Sequence, residues 1–563
     1  MKRISSILCL AAALGCLAPA AMQAQEGKDV KVEFLGTNNT LVRIAGEGKY
    51  LLLPIQDNGA EATVNVIVDG KQATSFVARL ATNKVDYTVP FDLTPYRGKK
   101  VVLNIVSHQS RSTVREAKED ACWRSLTLSD TFDTANREKY RPAYHHTPLY
   151  GWMNDPNGMF YRDGVWHLYY QYNPYCSLWQ NMSWGHSTST DLIHWEHQPM
   201  ALQPDVIGTI FSGSSVIDHE GTAGFGKGAV VAMYTSAELM GQCQALAYST
   251  DNGQTFTKYE GNPIITEAIP DFRDPNFFWN EETKEWNLVL ACGQEMRFYA
   301  SDDLKQWRYL SAFGSNYGCH AGVWECPDLF PLKDEQGNTH WVLICNINPG
   351  GPSGGSATQY FIGDFDGSKF TLDNPEMYLD GKALWQDYGK DHYAAVSFSN
   401  APDGRHTMIA WMSNWEYANN VPTMQFRSAN TIAREPFLYN VDGKVYLGSR
   451  PSPEYVGAGL DKTVKVNGSC TVTLSNENGE EFVITYDQKA MTLSCDRSRS
   501  GMVDFSQHFN TVATAPVCRR ITSFRIFVDN CSVEVFANDG EVCMTSLVFP
   551  SQPLNTVTVN KIK

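Results

Sequence analysis

The chain of 563 residues is too long for one ordinary hydrophobic core, so roughly three to four domains are expected, fewer where a large all-β unit is present. A formal net charge of -15 argues against a nucleic-acid partner, which needs clustered Lys and Arg, and fits a neutral ligand. The 12% aromatic content, with 14 Trp and 26 Tyr, favours strands and binding surfaces over helical bundles.

Residues 1–24 read as an export signal: Lys2 and Arg3 precede an apolar run from Ile4 to Leu17, and small residues lead to Ala24. Ala13-Leu14-Gly15-Cys16 is an imperfect lipid-attachment box, so a lipid anchor stands as the second reading beside cleavage after Ala24. Both put the mature protein outside the cytoplasm: periplasmic, extracellular or surface-anchored. No later apolar stretch is long enough to cross a bilayer, so no transmembrane segment is expected.

Residues 26–130 carry alternating runs such as Thr63 to Val68 before Asp69-Gly70, and Lys100 to Val106. Period-two alternation with an Asp-Gly turn predicts antiparallel strands and a small N-terminal β-sandwich module. It is either a packing partner or a carbohydrate-binding surface, with packing the default.

Next comes Trp152-Met153-Asn154-Asp155-Pro156-Asn157-Gly158. Pro156 fixes its own backbone and biases Asp155 toward extended geometry, so the carboxylate is held rather than left to wander. Downstream, apolar strands start at Val165, Val230, Trp286, Trp341 and Thr407, spaced 55 to 66 residues apart. An Asp followed four or five places later by an aromatic keeps step with them, at Asp191/Trp195, Asp251/Phe256, Asp303/Trp307 and Asp366/Phe370. Two independent patterns with one period predict a propeller of small antiparallel sheets, with five blades over residues 138–437.

Asp155-Pro156-Asn157, Asp274-Pro275-Asn276 and Glu325-Cys326-Pro327-Asp328 lie just upstream of three of those strands. The first strand of each blade faces the propeller axis, so carboxylates at equivalent openings are expected to converge at one end of the channel. Crowded like charges in low dielectric push at least one pKa upward, a strain that proteins accept mainly at functional sites.

Residues 450–563 alternate again, in Phe524 to Asp529 and Ser532 to Ala537, and predict a C-terminal β-sandwich. Glu534 and Asp529 are given solvent-facing positions and no chemistry. Of 14 cysteines, Cys9 and Cys16 fall in the leader, and the other twelve show no paired C-x-x-C spacing. No metal site and no cofactor are expected; disulfide connectivity and oligomeric state are left open. The predicted class is all-β throughout.

An exported protein with axial carboxylates among Trp and Tyr points to sugar chemistry, and here the motifs resemble a known family, glycoside hydrolase family 32, the invertase, inulinase and levanase group. Trp152 to Gly158 matches its nucleophile motif, Arg273-Asp274-Pro275 its second and Glu325-Cys326-Pro327-Asp328 its third. Agreement extends through Tyr172-Asn173-Pro174, Trp184-Gly185-His186, Phe211-Ser212-Gly213-Ser214 and Asp387-Tyr388-Gly389-Lys390-Asp391. The resemblance implies a five-bladed propeller followed by a β-sandwich, with the N-terminal module as a departure from that pattern.

It further implies Asp155 as nucleophile, Glu325 as general acid and base, and Asp274 as the stabiliser holding fructosyl hydroxyls. Asn154, Gln171, Trp179, Phe211, Ser212 and Arg273 are implied as walls of the fructose pocket. The implied activity is retaining hydrolysis of β-fructofuranosides: levan, inulin or sucrose. Glu325 is expected to have a raised pKa, with Cys326 tuning it rather than acting as a nucleophile. The alternatives are a fructosyltransferase on the same scaffold and a non-catalytic fructan-binding protein; three intact carboxylates argue against the latter. The export signal disfavours an intracellular sucrose-phosphate hydrolase.

Overall fold

A computed structural model describes residues 25–26, 29–109, 111–134, 138–238, 241–457 and 459–562. The export signal expected at residues 1–24 lies outside the described residues. The chain divides into two compact units between Phe132 and Asp133.

In the first unit a six-stranded sheet runs Gln25–Glu26, Val30–Phe34, Asn39–Ile44, Val101–Ser107, Ala62–Val68, Lys71–Ala78, and a three-stranded sheet runs Tyr87–Asp92, Tyr50–Ile55, Thr127–Ser129. Alternation buries Val42, Val64, Val66 and Leu103 from the larger sheet and Leu51, Leu53 and Val89 from the smaller. Asp69 and Gly70 both take positive φ, 50° and 83°, which is the two-residue hairpin turn that an Asp-Gly pair favours.

The second unit opens with five antiparallel blades. The four main strands of blade 1 are Gly151–Arg162, Val165–Asn173, Ser183–Ser189 and Glu196–Leu202. Blade 2 begins at Thr209–Asp218, blade 3 at Phe272–Asn280, blade 4 at Val323–Lys333 and blade 5 at Tyr393–Ser397. The five periodic apolar runs are the second strands, buried on both faces between neighbouring blades. Val231, Met233 and Leu246 of blade 2 meet Phe277, Leu288 and Leu290 of blade 3. The outer strand of blade 5, Lys444–Pro451, runs past residue 437. A short segment, Phe426–Arg427, pairs in parallel with Gly151 and Trp152 and so joins the end of the ring to its start.

The Asp-aromatic repeat has a local cause. Asp191 Oδ1 accepts the backbone N–H groups of Ile193 and His194, and Trp195 Nε1 donates to the Leu192 carbonyl at 3.0 Å. Asp303 and Trp307 repeat the arrangement on Lys305, Gln306 and Leu304. The carboxylate gathers the turn between the third and fourth strands of a blade, and the indole closes it.

Two further sheets, one ordered Leu460–Lys465, Ser523–Asp529, Ser532–Ala537, Val542–Leu547 and the other Val512–Pro516, Thr492–Arg499, Glu481–Asp487, Cys470–Ser475, Thr556–Lys561, form the C-terminal sandwich. Val472, Ile484, Ile526 and Val535 lie in its core. The solvent-facing assignment of Glu534 and Asp529 is overturned. Glu534 is fully buried and accepts from Arg434 of blade 5 and from His145 Nε2 at 2.7 Å, while Asp529 holds His145 Nδ1 at 2.8 Å. Alternation places both on the face away from the sandwich core, as expected, but the propeller covers that face. Asp387 adds a second carboxylate to Arg434 at 2.8 Å, and Asp391 pairs with the buried Arg497 at 2.6 Å. The Asp387 to Asp391 motif is thus a fastening between propeller and sandwich. Burial works against charge on His145, but its two carboxylates win and hold its pKa up at about 9.

All twelve cysteines from Cys122 onward are free thiols. No helix among the described residues is long and apolar enough to cross a membrane.

Candidate active site

Every inner strand of the propeller carries a β-bulge at the same level, where two residues face one on the second strand. The pairs are Asn154-Asp155, Phe211-Ser212, Asp274-Pro275, Cys326-Pro327 and Ala394-Ala395. A bulge interrupts the ladder and re-aims side chains, which is how a sheet edge becomes a site. The first bulge residue is left-handed in three blades, with φ of 66° at Asp274, 42° at Cys326 and 54° at Ala394. Non-glycine residues adopt that conformation at a cost of roughly 1–3 kcal/mol, and such strain collects at functional sites.

The three carboxyls do converge, though not from equivalent positions as expected. Asp155 is the second residue of its bulge, Asp274 the first, and Glu325 precedes its bulge by one. Sequence distance to the next strand could not register this, because hairpin lengths differ between blades.

Cys326 is the common neighbour. Its thiol lies 3.3 Å from Asp155 Oδ2 and 3.5 Å from Asp274 Oδ2, and its backbone N–H donates to Asp274 Oδ2 at 2.9 Å. Asp155 also accepts from Asn154 Nδ2 at 2.9 Å and from Ser212 Oγ at 2.7 Å, with Asn154 fixed in turn by Trp152 Nε1. Arg273 donates twice to Glu325 Oε1, at 3.0 and 2.9 Å, and Tyr393 donates to Oε2.

Burial raises the Asp274 carboxyl to about 7, reinforced by the charges of Glu325 and Asp155 and opposed by Arg273. Burial likewise raises Glu325; Arg273 and the Tyr393 hydroxyl oppose it and Asp155 adds to it. The Cys326 thiol is pushed far up by burial and by the carboxylates around it, which leaves it a neutral donor. Burial and neighbouring like charge thus favour the protonated forms of Asp274 and Glu325, with Arg273 as the opposing cation.

Of the expected pocket walls, Asn154, Ser212 and Arg273 bond directly to a carboxyl. Phe211 lies edge-on to Trp179 at 6.2 Å, and Trp179 is 43% exposed at the rim. Gln171 sits opposite the blade 1 bulge, buried, its amide nitrogen unpartnered. Asp328, in the third motif, is directed away: its carboxylate takes the N–H groups of Ser397 and Leu329 at the wall of a cavity of about 370 Å³ formed by the far halves of the inner strands. Sequence reasoning missed Tyr393, whose only signal was its place just after the Asp387 to Asp391 motif. It also missed Trp415, which stacks on Trp152 at 5.8 Å and carries no motif of its own.

Residues 145–449 match the model of the glycosyl hydrolases family 32 N-terminal domain, and residues 458–562 that of the family 32 C terminal. The chain belongs to glycoside hydrolase family 32. Residues 36–144 match a domain of unknown function (DUF4980). The chain is 43% identical to a levanase of Bacillus subtilis over 76% of its own length and 69% of that relative's, and 38% identical to an extracellular exo-inulinase of Aspergillus niger over 74% and 90%. Among solved structures it resembles exo-inulinase from Aspergillus awamori, with a TM-score of 0.70 and 35% identity over 76% of this chain and 96% of that one. A β-fructofuranosidase from Schwanniomyces occidentalis, solved with fructosyl-erythritol, gives 0.65 and 33% over 75% and 94%. This family 32 member is a glycoside hydrolase with the propeller and sandwich that its sequence implied.

Proposed function

We propose that this family 32 chain is an exported β-fructosidase that releases fructose from levan, inulin or sucrose with net retention. The observation that carries the reading is the convergence of Asp155, Asp274 and Glu325 around Cys326. Asp155, oriented by Asn154 and Ser212, attacks the anomeric carbon of a β-fructofuranosyl unit as Glu325 protonates the leaving oxygen. Asp274 takes the fructosyl hydroxyls. Water then attacks the glycosyl-enzyme with Glu325 as base, which gives retention at the anomeric carbon. Asn154, Gln171, Trp179, Phe211, Ser212 and Arg273 shape the pocket. The levanase and exo-inulinase relatives support fructan as substrate, and the leader at residues 1–24 supports export.

The test incubates the protein separately with levan, inulin and sucrose and resolves products by size over time. Free fructose from the outset supports hydrolysis; growing oligosaccharides show a fructosyltransferase. D155N should lose turnover by several orders of magnitude and keep substrate binding; surviving activity removes Asp155 as nucleophile.

A further inference from the structure

Blade 2 reaches across to the strand that carries Asp274. The Asp274 backbone N–H donates to Thr235 Oγ1 at 2.9 Å, the Thr235 hydroxyl donates to Gln244 Oε1 at 2.7 Å, and the Gln244 amide donates to the Phe272 carbonyl at 2.9 Å. Thr235 and Gln244 are both fully buried. The chain of bonds starts and ends on the two residues flanking Arg273. Gln242, two places before Gln244 and so on the same face of its strand, accepts from Arg273 Nη1 at 3.2 Å. Asp271 takes the same nitrogen at 2.7 Å, and the rest of the guanidinium goes to Glu325.

We propose that Thr235 and Gln244 are positioning residues of the reaction, a clamp from blade 2 that fixes the backbone on both sides of Arg273 and so sets Asp274 and Glu325 together. The proposal rests on the catalytic assignment made above.

Asp274 sits in a bulge, where its N–H has no ladder partner, and at a positive φ that it holds only if its surroundings insist. Thr235 supplies what the ladder does not. The side chain there must accept from Asp274 and donate to Gln244 at once, which a hydroxyl does and an isosteric Val does not. Thr235 is also the residue that faces the Phe211-Ser212 bulge of its own blade. A single register in blade 2 therefore presents Ser212 to Asp155 and Thr235 to Asp274, so slippage there disturbs two carboxyls at once.

The groups facing Glu325 are Arg273, Tyr393, Asp155, Asp274 and Cys326, with Cys345 behind it. Arg273 is the cation among them, and it opposes the rise that burial imposes on Glu325. A loosened Arg273 leaves Glu325 protonated to higher pH. Because the acid form is needed to expel the leaving group, the alkaline limb of the kcat/KM profile then moves upward.

The experiment compares the unchanged protein with T235V, T235S, Q244L and D155N on whichever of sucrose, levan and inulin is cleaved fastest, with full pH profiles and thermal unfolding. T235V should lose about 10- to 100-fold in kcat/KM, as a buried N–H and a buried amide oxygen lose their partner, with a rise in KM for the fructosyl-binding share. Its alkaline limb should shift up by about half a unit, and T235S should restore both. A role in folding alone lowers the unfolding temperature without moving the limb, and that result overturns the clamp. Wild-type kinetics and profile in T235V overturn it too. Where T235V does not fold, Q244L decides: a displaced limb supports the clamp, an undisplaced one refutes it. An active D155N refutes the nucleophile assignment whatever the clamp variants do, whereas an inactive D155N beside an unaffected T235V refutes the clamp alone.

Discussion

Replacing Arg434 by Leu should loosen the join between propeller and sandwich without touching the pocket. Arg434 is 2% exposed and lies between Asp387, Glu534 and the Thr545 hydroxyl, its guanidinium 4.8 Å from the Phe536 ring. Removing one partner of a buried ion pair costs about 3–5 kcal/mol, because the remaining charge is stranded. Both stranded carboxylates keep other donors. Glu534 retains His145 and the Ile432 N–H, and Asp387 retains the Thr545 N–H and hydroxyl, at 2.8 and 2.6 Å. Those contacts set the expected loss at the lower end, about 3 kcal/mol. The deficit should depend on pH. Burial pushes both carboxyls up, but Arg434 and their other partners hold them below their ordinary values. A depressed carboxyl contributes stability above its unfolded pKa and loses it as pH falls through the folded one, so the deficit is full at neutral pH and narrows below about pH 4. Urea unfolding of R434L, D387N and the double variant measures the deficit and the coupling between the two side chains. A loss within about 1 kcal/mol at neutral pH, or one equal at neutral and acid pH, refutes the reasoning.

Tyr393→Phe removes a donor to the ionised form of Glu325, worth about 1.5–3 kcal/mol for a charged acceptor, so the alkaline limb of kcat/KM should rise by about one to two pH units; an unmoved limb refutes the contact. In blade 1 and the segment leading into it, burial lowers His146 to about 3, His167 to about 4 and His186 to about 3. They are neutral when folded and take up protons when unfolded, so stability is complete above about pH 6.5 and falls toward pH 4, by about 2 kcal/mol per histidine at pH 5. Urea midpoints at pH 5 and 7 should differ less in H186Q than in the parent, and an equal difference counts against the account. Gly389→Ala places a Cβ 2.1 Å from the Thr545 carbonyl oxygen, an overlap the backbone cannot absorb, and should lower the yield of folded protein or its unfolding temperature while leaving Asp155 and Glu325 untouched.

The blade count was legible because it rests on local facts. Each second strand is buried on both faces and reads as an apolar run, and each Asp-aromatic pair closes a turn within a few residues. Asp155, Asp274 and Glu325 were legible as a set because their short motifs recur at blade openings. Their offsets within the bulges were not, since a bulge is a property of strand pairing and register. Thr235 and Gln244 look like ordinary strand residues until blade 2 is placed beside blade 3. Glu534 and Asp529 were misread for the same reason: alternation reports which side of a strand a residue takes, but not whether another domain covers that side.

The parallel pairing of Phe426–Arg427 with Gly151 and Trp152 puts a seam beside the very strand that carries Asp155. Arg427 also donates to the Ser177 carbonyl of blade 1 at 2.9 Å. During synthesis all three carboxyls are present once residue 325 has been added, but the circle around them stays unsewn until the segment near residue 427 has followed. A nascent chain arrested between residues 325 and 427 holds all three carboxyls but not the segment that closes the ring around them.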